Sequence, residues 1–428
     1  MREDRTLTRV VAIVRDICFV SFGKYGQYLV TVVTLPLAAR LLGTEGLGLL
    51  AIGMASYFIG SMLVDLGITT FLAAMMNSAN VNQLRGSYLV IRVGTLGAIG
   101  LGLITSMVIG VDIHVHMVLL GMFAGGFWSM SEDWVLIGQG RFGASMAYQG
   151  AGRLGYLVLL VIVLPQLPSA SIAILCLLAS STLTVSLTWR DSFKKFGRPE
   201  RPRQVKTILR IGAPVLTSRL LVTSYGQGAA AVYSSVLAAS SLGLFAAGDR
   251  LVRAVQSLLD PIGFAMLPRM ARNSQDTLFW RRAVQALLAC VCAAGLATAA
   301  LWIAAPTLID MVFGSAFADA VPLLRAEVLI LPATAVSSFI TTAILPVRQD
   351  TSGVLIGAII GTSVAAVALY FAFRTHSVWA LVYGTLCCEF LVACWYLLRL
   401  RRLVVRDRSA RRTGPDLVHS AVLEEHLR

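Results

Sequence analysis

Polar residues in this chain gather in short clusters, and the apolar stretches between them mostly run for about twenty residues or more. Stretches of that length exceed ordinary strands, and roughly 20 apolar residues carry a helix across the hydrocarbon of a bilayer. On this basis twelve spans are predicted, near 14–38, 48–75, 88–110, 117–138, 146–165, 171–189, 208–238, 243–268, 282–304, 324–345, 354–373 and 378–398. The expected fold class is an all-α polytopic membrane protein.

One segment occurs twice. Leu47-Gly48-Leu49-Leu50-Ala51-Ile52-Gly53 returns as Leu242-Gly243-Leu244-Phe245-Ala246-Ala247-Gly248, at a constant offset of 195 residues that also maps Leu63 to Leu258 and Asp65 to Asp260. The offset pairs span 2 with span 8. Six spans per half is an even number, so both halves enter the membrane from the same side. Two parallel six-helix lobes around a central cavity are expected, an architecture that transporters use. The lobes are assigned to 1–189 and 208–398, joined by a basic cytoplasmic linker at 190–207 and followed by a basic cytoplasmic tail at 399–428.

Composition agrees: 57% of residues are hydrophobic, only 14% are charged and the mean hydropathy is +0.77, whereas a soluble domain carries about 25% charged residues. The net charge of +14 invites a nucleic-acid partner, but its distribution argues against one. Most Lys and Arg lie in the loops on the side of the N-terminus, while the opposite loops hold Arg40, Arg325 and Arg374. This is the positive-inside bias, and it places both termini in the cytoplasm of a multi-pass protein of the cell (inner or plasma) membrane. The tail from Arg399 to Arg412 is basic enough to lie on anionic lipid headgroups. The first span is too long for a signal peptide and reads as a retained helix.

Signals for catalysis are weak. Asp112-Ile113-His114-Val115-His116 alternates ligand-type side chains, yet it falls in a short exterior loop with no second cluster to complete a metal site. The seven cysteines all fall inside predicted spans and read as buried small apolar residues. Glu45, in the loop Leu42-Gly43-Thr44-Glu45-Gly46, lacks the sizeable soluble loops a membrane glycosyltransferase needs. No enzyme, metal or cofactor is expected.

Charges inside spans are the informative residues, because each costs roughly 2.5–3.5 kcal/mol at a helix centre and so faces a cavity or a partner. Lys24, Arg153, Arg219, Arg250 and Arg253 are the candidate substrate-binding cations. Asp65, Glu132, Asp133, Asp249 and Asp260 are candidates for ion coupling or for salt bridges. Arg250 and Arg253 are three apart and share a helix face, while Asp249 lies four before Arg253 and can neutralise it. Gly121 with Gly125, Gly357 with Gly361, and Gly94, Gly97 and Gly100 form small-residue faces suited to close helix approach.

The detailed wording resembles a known family. Leu35-Pro36-Leu37-Ala38-Ala39-Arg40-Leu41-Leu42-Gly43-Thr44-Glu45-Gly46-Leu47-Gly48, followed by Asp65-Leu66-Gly67, is similar to the opening of the Wzx-type oligosaccharide flippases. Trp134 to Arg141, Gly243 to Arg250 with Leu267-Pro268-Arg269, and Phe313 to Ala320 resemble later stretches of the same family, in the same order. The resemblance implies a twelve-helix member of the multidrug/oligosaccharidyl-lipid/polysaccharide exporter (MOP) superfamily. Such a protein turns polyprenyl-diphosphate-linked oligosaccharide from the cytoplasmic to the outer leaflet, with Lys24, Arg219, Arg250 and Arg253 positioned to hold the diphosphate. Membrane lipids are then partners, and polysaccharide polymerase machinery is admitted as one. A fourteen-helix lipid II flippase needs two further spans, so peptidoglycan precursor is the less expected cargo. A multidrug efflux antiporter of the same superfamily is the alternative, and a membrane polysaccharide polymerase or ligase a more distant one.

Overall fold

The structure is a computed structural model, and it describes residues 34, 36–69, 72–73, 80–272, 278–345 and 351–425. Among them there is no strand, and nine helices are long and apolar enough to cross a membrane. These are Pro36–Asp65 (α1), Val81–Ile109 (α2), Ile113–Gly138, Phe142–Val163, Ala170–Phe196, Phe279–Phe313, Ala320–Ile344, Gly353–Thr375 and Val378–Asp407. They correspond to expected spans 2–6 and 9–12. Spans 7 and 8 are helical too, in Val205–Tyr225 and Ala239–Arg272, but their polar residues set them apart from the rest. Span 1, and with it Lys24, lies outside the described residues.

In chain order the remaining helices are Ile113–Trp128 (α3), Asp133–Gly138 (α4), Phe142–Val163 (α5), Ala170–Phe196 (α6), Val205–Tyr225 (α7), Ala229–Tyr233 (α8), Ala239–Arg272 (α9), Phe279–Phe313 (α10), Ala320–Glu327 (α11), Ile330–Phe339 (α12), Thr351–Thr375 (α13) and Val378–Glu425 (α14). Two compact units emerge. One contains the described residues within 1–248, 306–323 and 369–381; the other contains the described residues within 249–305, 324–368 and 382–428.

Local sequence explains the helix ends. Asn80 caps α2 by accepting from the amides of Asn82 and Gln83, and Gly110 closes it in the left-handed region at φ 70°. Asp112 caps α3 by accepting from His114 N at 2.9 Å. The Asp112–His116 stretch is therefore a helix start, not the exterior loop expected, because an Asp before an apolar run satisfies free amides better than water does. The expected loop 39–47 is likewise mostly helical. Only Gly43, at φ 67°, interrupts the stretch from Pro36 to Asp65. The residues between α6 and α7 number far fewer than the expected linker, since helix persists to Phe196 and resumes at Val205. The tail continues α14 as helix to Glu425.

Glycine decides where helices approach. A Cβ on Gly121 would stand 2.1 Å from the Gly53 carbonyl oxygen, and one on Gly125 would stand 1.9 Å from that of Tyr57. The same crossing is tight from the other side, where a Cβ on Gly60 would meet Met122 O at 2.1 Å. Gly94 and Gly97, expected to do the same, have nothing within 4 Å, and Gly100 meets only the Phe123 ring. The cysteines also divide: Cys176, Cys290 and Cys388 are buried, but Cys292, Cys387 and Cys394 lie on the outer surface of their helices.

Candidate functional site

The first polar cluster is built on the turn that ends α1. Asp65 Oδ1 accepts from Gly67 N at 2.6 Å, and both Leu66 (φ 54°) and Gly67 (φ 64°) are left-handed. A left-handed leucine costs roughly 1–2 kcal/mol. Burial holds it there, in a core with Ile68, Leu84, Tyr88, Trp134 and Ile208. Tyr88, two turns into α2, donates its hydroxyl to Asp65 O at 2.7 Å.

Two arginines flank Tyr88 on α2, and both reach Glu132. Arg85 Nε donates to Glu132 Oε2 at 2.7 Å, while its Nη1 donates to Asn82 Oδ1 and Gly197 O, each at 3.0 Å. Arg92 Nη1 lies 3.7 Å from Glu132 Oε1, and Nη2 donates to Ser131 O at 2.6 Å. The Arg92 guanidinium stands 4.3 Å from the Tyr88 ring centroid. Glu132 is fixed in turn by Thr188, whose Oγ1 accepts from Glu132 N at 3.1 Å. All three side chains are at most 1% exposed, and Arg85 Nη2 and Arg92 Nε have no hydrogen-bond partner. A fully buried triad of this kind is a structural clamp, closed to a large ligand.

Arg219 differs, because it is exposed. Its stem fills the space a side chain at position 67 would occupy: a Cβ on Gly67 would lie 2.7 Å from Arg219 Cδ and 3.3 Å from Nε. Two turns earlier on α7, Gly212 receives Leu66 in the same way, at 2.9 Å. The α1 turn thus docks on one face of α7 and sets the guanidinium close enough to Asp65 to attract its carboxylate. Asp65 and Arg219, 154 residues apart in sequence, are the two candidate residues brought together here.

Asp133 accepts from the Ser145 hydroxyl, and Arg153 is half-buried on α5 near Tyr57.

A second cluster lies in the other compact unit. Asp249 Oδ2 accepts from Arg253 Nε at 2.6 Å, the pairing their spacing suggested. Glu327 on α11 and Glu389 on α14 face Arg253 as well. Glu327 is fully buried and neither of its oxygens has a hydrogen-bond partner. The Asp249 carboxyl lies beside it, and the two can share a hydrogen bond only when one of them holds a proton. Arg250 is half-buried on α9, where Asp260 also lies by its backbone. Sequence analysis missed Arg92, Glu327 and Glu389 as site residues, although each is a charge inside a predicted span and the rule that selected Asp249 selects them too.

Among the described residues, no group of His, Cys, Asp and Glu is arranged to hold a metal ion.

Comparison with known proteins adds family and fold. The sequence profile of the family described as "Polysaccharide biosynthesis protein" matches residues 13–274, more than half of the 428 residues. No curated protein matches the sequence. Among solved structures, the lipid II flippase MurJ in an inward closed conformation superposes with a TM-score of 0.74 at 14% identity, covering 90% of this chain and 87% of that one. An inward-facing multidrug resistance MATE family transporter of the MOP superfamily gives 0.62 at 16% identity, covering 88% and 94%. A MOP superfamily transporter from Pyrococcus furiosus gives 0.54 at 16%, covering 92% and 96%. The chain belongs to the polysaccharide biosynthesis protein family, on the all-helical fold of the MOP superfamily.

Proposed function

We propose that the protein turns a polyprenyl-diphosphate-linked oligosaccharide from the cytoplasmic to the outer leaflet by alternating access, for the assembly of a cell-surface polysaccharide. The reading is carried by the conjunction of a polysaccharide-biosynthesis sequence with an exporter fold; a membrane polymerase or ligase accounts for the first and not the second. Both termini are assigned to the cytoplasm by the positive-inside bias.

Arg219 is the residue on which we place the first contact with the diphosphate. It is exposed, it is fixed by packing on Gly67, and its guanidinium offers the planar donor pair that suits phosphate oxygens. Asp65 beside it moderates the attraction, so that the anion is bound and then released. Lys24, Arg153 and Arg250 are the further cations of this reading, and Arg253 contributes less because Asp249 already pairs with it. A diphosphate carries about two negative charges, and each gains roughly 2.3 kcal/mol per 100 mV on moving outward across a membrane that is negative inside. The potential alone then drives export, without a nucleotide.

A multidrug efflux antiporter is the second reading. Buried Glu327 beside Asp249 favours it, since two neighbouring carboxylates that share one arginine suit proton-coupled efflux. The sidedness of lipid-linked oligosaccharide in cells lacking the protein separates the two. Accumulation on the inner leaflet, read with an impermeant glycosidase and reversed by the wild type but not by Arg219→Ala, supports the flippase. Unchanged sidedness with raised drug sensitivity supports efflux.

A further inference from the structure

Two adjacent residues of α2 hold α7 in place, one directly and one through the Asp65 turn. Ser87 is fully buried and donates its hydroxyl to Gln83 O at 2.8 Å, and its oxygen accepts from the amides of Arg203 and Gln204, each at 3.1 Å. Gln204 is the residue that precedes α7, and its own side chain makes no capping bond. The start of α7 is therefore tied to α2. Asn82 and Arg85 tie down the chain just before it, at Phe196 O (2.6 Å) and Gly197 O (3.0 Å).

That tie does not reach Arg219. Pro214 lies inside α7, where it removes the bond to the carbonyl of Arg210 and leaves the helix free to bend. Arg219, beyond the proline, needs its own support, and the Asp65 turn supplies it. Gly67 faces the Arg219 stem and Leu66 faces Gly212, so the turn meets α7 on both sides of the proline in sequence. The turn runs through two successive left-handed residues, a conformation that a leucine rarely adopts. It is fastened at Asp65 O, which accepts from the Tyr88 hydroxyl at 2.7 Å and from Ile68 N at 3.3 Å. Tyr88 itself cannot swing. Its ring is fully buried, with the Arg92 guanidinium 4.3 Å from its centroid and the Trp134 ring edge-on at 6.0 Å. Arg92 is held in turn by Ser131 O at 2.6 Å.

Resting on the diphosphate reading of Arg219 above, we infer that Tyr88 is a positioning residue for anion binding: its hydroxyl fixes the Asp65 turn, and the turn fixes the Arg219 guanidinium. Tyr88 is buried in the core and does not meet the ligand. Without the hydroxyl, Leu66 and Gly67 relax out of the left-handed region, and Gly67 leaves its place against Arg219 Cδ. The guanidinium then spreads over more rotamers. Binding must gather those rotamers again, so affinity falls while the fold remains. Ser87 acts on the same helix upstream of Pro214, so its loss reaches Arg219 more weakly.

The test uses the purified full chain, with affinity for farnesyl diphosphate read by calorimetry. Tyr88→Phe is expected to weaken binding about threefold to tenfold, the scale of one hydrogen bond, and Ser87→Ala by about twofold at most. In an Arg219→Ala background Tyr88→Phe should change affinity by less than about 1.5-fold, because both act on one contact. Ile91→Val, in the same core, should lower stability and leave affinity unchanged. Hydrogen exchange gives a reading without ligand. Gly67 N donates to Asp65 Oδ1, and this amide should exchange about tenfold faster in Tyr88→Phe. Undiminished affinity in Tyr88→Phe, a loss that persists without Arg219, or an equal loss with Ile91→Val overturns the inference. If Arg219→Ala itself leaves affinity unchanged, the diphosphate reading falls. Faster exchange at Gly67 then keeps Tyr88 as the residue that fixes the turn beside Arg219, and unchanged exchange removes that role as well.

Discussion

Removing Glu132 should destabilise the protein more than removing almost any other single charge. It stands between Arg85 and Arg92, each no more than 1% exposed, and it is the carboxylate that both of them approach. Breaking a buried ion pair from one side costs about 3–5 kcal/mol, because the remaining charge is left in a low-dielectric interior. Arg85 Nη2 and Arg92 Nε already lack partners, so the site has no spare acceptor to take over. Glu132→Ala is expected at about 5 kcal/mol, the upper end of that range. Glu132→Gln keeps an acceptor for Arg85 Nε and removes only the charge, so about 2–3 kcal/mol is expected. Replacing the triad together, as Arg85→Met and Arg92→Met with Glu132→Leu, should recover at least about 2 kcal/mol over Glu132→Ala, since the cost lies in the orphaned charges. SDS titration in mixed micelles, followed by tryptophan fluorescence, measures this; Trp134 packs edge-on against Tyr88 in the same cluster. A second readout is local. Arg85 also holds Gly197 O, and Ser87 Oγ accepts from the amides of Arg203 and Gln204, so the clamp pins the segment between α6 and α7. Trypsin should cut after Arg203, the arginine of this segment that is not followed by proline, faster in Glu132→Ala than in the parent. A loss below about 1 kcal/mol with unchanged proteolysis would refute the reasoning.

Glu327→Gln should be nearly neutral or stabilising in the same titration, in contrast to Glu132→Gln, because Glu327 is buried without a donor. Arg219→Ala should weaken binding of farnesyl diphosphate, a soluble probe of the headgroup, by about tenfold to a hundredfold, corresponding to one charge-assisted contact of roughly 1.5–3 kcal/mol; calorimetry on the purified protein checks it. Gly67→Ala should weaken the same binding, because the new methyl displaces Arg219, and should have no further effect in an Arg219→Ala background. Arg141→Ala breaks a partly exposed ion pair with Asp191 and should cost no more than about 1 kcal/mol in SDS titration.

How far the sequence could be read depended on whether a property belongs to one segment or to a pair. Crossing a membrane is decided by the transfer free energy of a single stretch, and so spans 2–6 and 9–12 were legible from apolar run length. Helix ends were harder. Asp112 read as part of an exterior loop because its capping role is local geometry that an alternating Asp-x-His-x-His pattern masks. The small-residue rule selected Gly121 and Gly94 alike, yet only Gly121 meets a neighbouring backbone.

By itself the sequence determined the helical class, the approximate positions of most spans, the internal repeat and the cost of each intramembrane charge. Tertiary structure alone decided which charge answers which. Arg85 and Glu132 are 47 residues apart, and Arg85 and Gly197 are 112 apart. The same holds for the repeat: its offset was visible as counting, but the meeting of Gly48 with Gly243 was not. Insertion energies are sums over neighbours along the chain, whereas pairing energies depend on distances that the folding of the whole chain creates.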